Sequence, residues 1–172
     1  MKKVIYFTLV VVAGMLFLSS CEKDDIGGTA TESMAGEWYV TADAIDTAGN
    51  VVYPDFFGLG HFKLDTYNTA ADSTNEMYIN DNDNFWNFST IVDVDLNAMT
   101  FQKENAENEA YDSQLTILNG QILYGAAKTP SGSVADSIVF TVKFSDDTYP
   151  GEYGYDRYRV SGYRFTGFTG DK

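Results

Sequence analysis

One histidine and one cysteine limit the covalent chemistry open to this chain of 172 residues. A Ser-His-Asp triad needs a histidine to accept the serine proton, and the only histidine, His61, stands at the start of a predicted strand. The sequence contains no Gly-x-Ser-x-Gly nucleophile elbow. No spacing among its 25 acidic residues singles out the carboxylate pair of a glycosidase. We therefore interpret His61 as a polar residue at a strand end and predict no catalytic residues.

The acidic run 81–84 (DNDN) resembles the beginning of a calcium-binding loop. An EF-hand loop needs an oxygen ligand at its fifth position, glycine at its sixth and glutamate at its twelfth. This chain has Phe85, Trp86 and Val92 there. Because Cys21 is the only cysteine, a CxxC pair for zinc or redox chemistry is excluded as well. The sequence predicts a turn at 81–84, no metal site and no cofactor.

The residues before Cys21 indicate a different chemistry for its thiol. Lys2 and Lys3 precede an apolar segment, 4–18, whose 15 residues are fewer than the roughly 20 that a transmembrane helix needs. These features are typical of a signal peptide. Residues 18–21 (LSSC) resemble a bacterial lipobox, in which the cysteine receives diacylglycerol. We expect residues 1–20 to be removed and Cys21 to carry acyl chains such as palmitate; the alternative is a plain signal peptide with a chance cysteine.

The segment 21–33 is predicted to be a tether that joins Cys21 to a folded domain at 34–172. It begins with the acidic run 22–25 (EKDD) and continues with Gly, Ser and Thr, a composition typical of flexible linkers. An acidic run directly after the cysteine is similar to the surface-export signals of some Gram-negative lipoproteins. We expect a lipid-anchored protein of the outer membrane, displayed at the cell surface, with the periplasmic face as the alternative.

The charge of the chain argues against two classes of partner. It has 25 acidic and 11 basic residues, a formal net charge of −14, and loss of Lys2 and Lys3 with the signal peptide makes this −16. Nucleic acids and anionic lipid surfaces repel such a chain. We expect contact with the membrane through the N-terminal lipid and no nucleic-acid partner. The sequence leaves the oligomeric state open.

The rest of the chain is patterned as β-strands separated by turns. Apolar and polar residues alternate, aromatic residues are frequent (12 Tyr, 12 Phe and 2 Trp), and there are only 3 prolines. Asn119-Gly120 between two apolar segments predicts a hairpin turn, and the charged segment 102–110 predicts a surface loop. The predicted strands span residues 36–44, 51–53, 61–67, 76–80, 85–95, 99–101, 111–118, 121–126, 137–144 and 157–168.

The eight to ten predicted strands each have one apolar face. A sheet of this size has to cover that face and to pair its edges. Closure into an antiparallel up-and-down β-barrel meets both needs. We therefore predict an all-β barrel, with a two-sheet β-sandwich as the alternative.

Residues 36–38 (GEW) open the first predicted strand. A Gly-x-Trp motif at this position resembles the calycin signature of lipocalins and fatty-acid-binding proteins. The resemblance implies a calycin-like barrel in which a basic residue late in the last strand packs across the tryptophan and closes one end. Arg164 is the residue expected over Trp38, with a cation–π energy of roughly 0.5–2 kcal/mol.

The segment from about Met34 to Phe168 also resembles a family of small secreted bacterial proteins, the lipid-binding putative hydrolases. The resemblance implies a calycin-like barrel, and the family name offers lipid binding and hydrolysis as functions. The matching stretches are GEWYV, GLGHFKLDTYNTA, NFWNF, NGQILYGAAKTPSG, ADSIVF and PGEYGYDRYRVSGYRFTGF.

The inward faces of the predicted barrel are rich in aromatic and aliphatic side chains. Such an interior favours an apolar or amphipathic small molecule bound without catalysis; the alternative is an interior filled by its own side chains. The residues expected to line the pocket are Val40, Ala42, Phe62, Leu64, Trp86, Phe88, Thr90, Phe140, Val142, Tyr158 and Val160.

Aromatic residues in loops rich in Gly and Pro support a second function. Displayed on the surface, they would form a glycan- or protein-binding module; folded inward, they would cover the barrel mouth as a lid. Three or more exposed, coplanar rings would favour glycan binding. A hydrolase, as the family name indicates, is the third alternative. The loop residues concerned are Phe56, Phe57, Tyr149, Tyr153 and Tyr155.

Overall fold

A computed structural model describes residues 27–172 of the chain, and β-strands dominate it. The described part also contains one short helix, α1 (Tyr149–Tyr153), and a 3-10 turn at Thr169–Asp171. The strands are β1 (Gly36–Ile45), β2 (Val51–Tyr53), β3 (Phe62–Asn68), β4 (Glu76–Asn80), β5 (Ser89–Asp95), β6 (Thr100–Glu107), β7 (Gln114–Lys128), β8 (Val134–Phe144) and β9 (Arg157–Arg164).

The sheet closes on itself because β9 pairs with β1. From β3 to β9 each strand pairs antiparallel with the next, and β3 pairs with the first half of β1. Eight strands, β1 and β3 to β9, therefore form a closed barrel, while β2 stands at the edge and pairs with the end of β1. The prediction of an all-β up-and-down barrel is confirmed, and the sandwich alternative is wrong.

The apolar faces of the strands fill the inside of the barrel. Successive side chains of a strand point to opposite faces, so β1 directs Trp38, Val40, Ala42 and Ala44 inward, each at most 3% exposed. Other strands follow the same alternation. Their buried inward side chains include Phe62, Leu64, Thr66, Met77, Ile79, Thr90, Val92, Ile117, Ile138, Phe140, Val142, Tyr158 and Val160.

The base of the barrel is the end where β1 begins and β9 ends. Trp38 stands opposite Arg164, whose guanidinium carbon lies 4.4 Å from the centre of the indole. The indole N–H donates to the Thr66 hydroxyl (2.9 Å), which in turn donates to the Met34 carbonyl (2.7 Å). Arg164 also forms an ion pair with Asp136 (3.1 Å). The base is thus held around one indole by two hydrogen bonds, a cation–π contact and an ion pair.

The strand predicted at 85–95 is too long, because it begins only at Ser89. The buried carboxylate of Asp81 accepts backbone N–H groups of the residues that follow it and folds residues 81–88 into a loop. Trp86 consequently lies in this loop and is half-buried. It does not lie on the inner wall of the barrel, where the alternation of apolar and polar residues over 85–95 predicts it.

The segment 102–110, predicted to be a surface loop, mostly belongs to strand β6. Its charge is consistent with a strand because the charged side chains face solvent, while Phe101 and Ala106 face inward and are buried. A surface strand whose register shifts between Phe101 and Ala106 therefore explains both the polarity of the segment and the inward position of these two residues.

Asn119-Gly120 is not a hairpin turn, because β7 runs through it without interruption and the register to its neighbours shifts there. Asn119 has a positive φ of 54°, as the motif predicts, but the extra residue forms a β-bulge. Gly120 stands opposite Phe101, and a Cβ at this position would overlap atoms of Phe101. The glycine is needed for this close packing.

Gly162 of β9 pairs with Val40 of β1, and substituting it tests the closure of the barrel. A Cβ at Gly162 would overlap the Tyr39 carbonyl oxygen and lie 2.6 Å from the Val40 Cα. Because these are backbone atoms, the two strands have to move apart. We expect Gly162→Ala to lower the free energy of unfolding by about 1–3 kcal/mol, measured by urea denaturation.

The matched control is Gly170→Ala, since a Cβ there meets nothing within 4 Å. This variant should stay within about 0.5 kcal/mol of the wild type. Equal stability of the two variants would contradict the described contact between β1 and β9.

Candidate functional site

Aromatic side chains gather at the mouth of the barrel, the end where β1 ends and β9 begins. They come from three connections, at 54–61, 81–88 and 145–156, which bring residues distant in sequence together. We refer to these side chains as the lid: Phe56, Phe57, Phe85, Trp86, Tyr149, Tyr153 and Tyr155.

The rings of the lid pack on one another and on the strand ends beneath them. Phe57 lies 5.8 Å from Trp86, 5.7 Å from Tyr149 and 5.7 Å from Tyr158, measured between ring centres. Trp86 stacks on Phe144 of β8 at 4.8 Å with an interplanar angle of 10°. Each such pair contributes about 0.5–1.5 kcal/mol beyond its buried area. The lid therefore forms one layer over the apolar interior.

A compact loop presents Phe56 and Phe57 to this layer. The Asp55 carboxylate accepts the backbone N–H groups of Leu59 and Gly60, both at 2.9 Å. Gly60 has a positive φ of 64°, a conformation that glycine adopts without steric cost. The turn is anchored to the barrel because the Asp55 N–H donates to the Asp43 carboxylate of β1 (3.0 Å).

Asp81 performs the same function for Phe85 and Trp86. Its carboxylate is fully buried and accepts four backbone N–H groups at 2.7–3.1 Å. A buried carboxylate is tolerated when several donors satisfy its oxygens. The donors belong to Asp83, Phe85, Trp86 and Phe88.

Beneath Phe56 the mouth contains a short chain of polar groups. The hydroxyl of Tyr155 is hydrogen-bonded to the hydroxyl of Tyr158, which donates to the Asp147 carboxylate at 2.8 Å. Burial raises the pKa of Tyr155 to about 12. Burial, with the hydrogen bonds to Tyr155 and Asp147, also raises the pKa of Tyr158 well above its ordinary value. Both phenols are therefore protonated at neutral pH. We call this chain the tyrosine relay.

A cavity of about 190 Å³ opens beside the tyrosine relay, between the end of β8, helix α1 and the start of β9. Two cations line it, but both are paired with Asp156: Lys143 at 2.6 Å and Arg157 at 2.5 Å. Burial acts to raise the pKa of Asp156, and the hydrogen bonds from Lys143 and Arg157 outweigh it and lower that pKa. The cations are thus already engaged at the rim of the mouth.

The residues predicted to line an internal pocket do lie in the barrel interior, except Trp86, but they fill it. An internal void large enough for water would leave exposed surface on the side chains around it. The interior side chains have almost none: Phe62 is 6% exposed, and the rest are at 3% or less, namely Val40, Ala42, Leu64, Phe88, Thr90, Phe140, Val142, Tyr158 and Val160.

A larger cavity, of about 550 Å³, lies on the barrel wall between β5, β6 and β7. Exposed polar residues such as Asp93, Gln102 and Gln121 contribute to its lining. It therefore differs in chemistry from the mouth, where several rings converge on an apolar interior. The mouth is the better candidate for a functional site.

The lid geometry favours a cover for the mouth over a glycan platform. Of the five loop aromatics singled out in the sequence, only Tyr149 and Tyr153 are exposed, at 38% and 44%. Their planes are inclined by 54°, so they do not form a flat surface. Phe56 and Phe57 are half-buried, and Tyr155 is buried.

The remaining candidate residues lie elsewhere or outside the described part. His61 is exposed, with its ring 5.4 Å from that of Tyr163. Within residues 27–172 no group of three or more His, Cys, Asp or Glu side chains could hold a metal ion. No helix in that range is both long and apolar enough to cross a bilayer. Cys21 and the segment 1–20 lie outside the described residues.

Sequence reasoning missed the functional relevance of Asp81 and Asp147. Asp81 was a candidate turn residue, and its role depends on donors up to seven residues later in the chain. Nothing in the local sequence marks Asp147 as the partner of Tyr158, because helix α1 separates the two residues along the chain. The abundance of aromatic residues in the three loops was the only available signal.

Taken together, a closed eight-stranded antiparallel barrel and an aromatic lid over one end define a calycin-like barrel. The comparison with known families agrees with this class. A family model described as "Lipid-binding putative hydrolase" matches residues 23–169, and the chain belongs to this family. No curated protein matches the sequence.

The role of Asp81 in shaping the lid can be tested by Asp81→Asn. The amide keeps the size of the carboxylate but places an NH2 group against two backbone donors. Buried donors without an acceptor cost about 1–3 kcal/mol each, so we expect the two donors to lower the free energy of unfolding by about 2–6 kcal/mol. Urea denaturation followed by tryptophan emission measures it.

Asp83→Asn, two residues away and exposed, makes the same chemical change without these donors. Its stability should stay within about 0.5 kcal/mol of the wild type. If both variants lose the same amount, the effect comes from surface charge and not from the described loop.

Proposed function

We propose that the protein is a lipid-anchored binding protein that holds an apolar or amphipathic small molecule at the barrel mouth, beneath the lid, without catalysis. The observation that supports this most directly is the lid itself, in which rings from three loops cover an apolar interior. Membership of a family described as lipid-binding is consistent with it.

We place the ligand at the mouth because the lid rings cost less free energy to displace than the side chains of the barrel interior. The interior side chains belong to paired strands, and moving them would break the barrel. Phe56 and Phe57 belong to a loop held at its base by Asp55. Moving these two rings aside exposes apolar surface that an acyl or alkyl chain would cover, so the ligand replaces contacts that the lid gives up.

The anchor belongs to the other end of the molecule. The described chain enters at the base, where the Ala30 N–H donates to Asp72 in the turn between β3 and β4 (2.8 Å). Residues 21–26 add at most about 20 Å of extended chain to Cys21. If Cys21 carries the lipid, the base faces the membrane, and the mouth is directed away from it at the cell surface or in the periplasm.

The proposed position of the ligand is tested by contact quenching of Trp86. A bromine-tagged long-chain alcohol quenches an indole only at short range. We expect it to reduce the tryptophan emission of the wild type, because Trp86 lies in the lid, and to have little effect on Trp86→Phe, which keeps only Trp38 at the base. Titration of both proteins at equal ligand concentration gives the comparison.

Binding of diphenylhexatriene, a hydrocarbon dye that fluoresces in apolar surroundings, shows that Trp86→Phe retains the site. Quenching of the same size in both proteins would place the ligand near Trp38 and contradict the proposed position. If neither the dye nor the bromoalcohol binds the wild type, the proposed function is wrong.

Lipid anchoring is tested separately, on protein purified from a Gram-negative host. Intact mass should equal that of the chain from residue 21 onward plus diacylglycerol and an amide-linked acyl chain. Cys21→Ser removes the thiol that accepts the diacylglycerol, so this variant should leave the membrane fraction. A wild-type mass equal to that of the bare peptide would exclude the anchor without affecting the ligand experiments.

A further inference from the structure

The tyrosine relay has a direction, which follows from counting its protons. Asp147 accepts on both oxygens, from the Tyr158 hydroxyl at 2.8 Å and from the Tyr149 backbone N–H at 2.9 Å. An ionised carboxylate can only accept hydrogen bonds, so Asp147 donates to neither partner. A phenol has a single proton. Because the Tyr158 hydroxyl donates its proton to Asp147, it has to accept a hydrogen bond from Tyr155. Both hydroxyl protons therefore point toward Asp147.

The far end of the relay is consequently an acceptor. Tyr155 has donated its proton to Tyr158, and its oxygen retains lone-pair capacity. Within residues 27–172 no protein donor is hydrogen-bonded to that oxygen. The Tyr155 ring is covered by Phe56, at 5.1 Å between ring centres. A ligand that takes the place of Phe56 would meet this acceptor.

Nearby charges also favour a hydrogen-bond donor over an anion at Tyr155. Lys143 and Arg157 are both engaged by Asp156, and Asp147 adds a negative charge at the end of the relay. A carboxylate head group at Tyr155 would face lone pairs and a fixed anion. A hydroxyl head group would donate to Tyr155 and extend the hydrogen-bonded chain by one member.

We propose that the mouth selects uncharged amphipaths whose head group is a hydroxyl, such as long-chain alcohols or acylglycerols with a free hydroxyl, over carboxylates and over ketones of equal chain length. This inference rests on the proposed function, since it concerns the ligand bound beneath the lid. It makes hydrogen-bond polarity, and not chain length alone, the basis of selection.

Three ten-carbon compounds separate the effect of hydrogen-bond donation from the effect of head-group charge. Decanol can donate a hydrogen bond, decanone can only accept one, and decanoate accepts and is charged at neutral pH. Each is used to displace diphenylhexatriene from the wild-type protein. We expect decanol to displace the dye at about tenfold lower concentration than decanone, the effect of one well-placed hydrogen bond, and decanoate to be the weakest of the three.

Asp147→Asn reverses the relay and gives the sharper test. The oxygen of the new amide stays with the Tyr149 N–H, so its NH2 group donates to Tyr158, Tyr158 donates to Tyr155, and the Tyr155 proton points outward. Decanone should then gain about tenfold in affinity. Decanol, which can also accept, should change little. The matched control is Asp146→Asn, which removes the same charge one residue earlier and leaves the relay intact; its amide oxygen can keep the hydrogen bond from the Trp86 indole (3.3 Å).

Tyr155→Phe removes the acceptor, so it should bring decanol and decanone to the same affinity, each compared with the dye affinity measured for that variant. Tyr111→Phe is its control, because Tyr111 donates to Asp146 at 2.7 Å in a similar Tyr–Asp pair outside the relay. This control should keep the preference for decanol.

Several results would overturn the proposal. One is equal displacement of the dye by decanol and decanone in the wild type. Another is an unchanged affinity difference between decanol and decanone in Asp147→Asn. A third is the same gain in decanone affinity in Asp146→Asn as in Asp147→Asn. Displacement by none of the three compounds would overturn it as well, while leaving an apolar site at the mouth. Failure of the wild type to bind the dye at all would instead refute the proposed function.

Discussion

The space inside a closed eight-stranded barrel is the constraint on which the rest of this structure depends. Such a barrel is just wide enough for its own side chains or for one small ligand. Here the inward positions carry large residues, among them Trp38, Phe88, Phe101, Phe140 and Tyr158, all at 2% exposure or less. The interior is thus already occupied. A ligand bound without movement of the strands would therefore lie at an end of the barrel or on its outer wall.

The two ends differ in the interactions that close them. The base is held by directional contacts of strand residues, where the Trp38 indole is fixed by Thr66 on one side and by Arg164 on the other. The mouth is closed by loop-borne rings whose contacts are mainly with other rings, although the Trp86 indole also donates to Asp146 (3.3 Å) and the Tyr155 hydroxyl is bonded to Tyr158. Aromatic contacts tolerate a range of angles and distances. The mouth is therefore the end that can rearrange around a ligand while the barrel stays closed.

Much of the barrel follows from local patterns in the sequence. Alternation over β1, β3, β4 and β8 identifies the inward residues, because each of these strands has one apolar and one polar face. Antiparallel closure puts the start of β1 beside the end of β9, so Trp38 and Arg164 can be related without any contact information. Side-chain period identifies the buried residues of these strands, whereas their register also depends on turns and bulges.

The features that local patterns do not predict depend on contacts between distant residues. Asn119-Gly120 indicates a positive φ correctly, but the chain bulges and does not turn back, because β7 pairs with β6 and β8 on both sides of it. The Asp81 loop ends a run that alternates like a strand, because a buried carboxylate competes for its N–H groups. The lid and the tyrosine relay are assembled from three connections, and no single segment contains their pattern.

The tyrosine relay also bears on the hydrolase in the family name. A catalytic nucleophile or base needs a pKa close to the working pH, obtained by stabilising its deprotonated form. The surroundings of Tyr155 and Tyr158 act in the opposite direction, because burial and the adjacent Asp147 carboxylate penalise a phenolate and raise both pKa values. His61 is exposed, beside Tyr163, and is not hydrogen-bonded to the relay within the described residues. Two phenols that keep their protons and a carboxylate that orients them are suited to recognising a head group, which supports binding over hydrolysis as the function of this mouth.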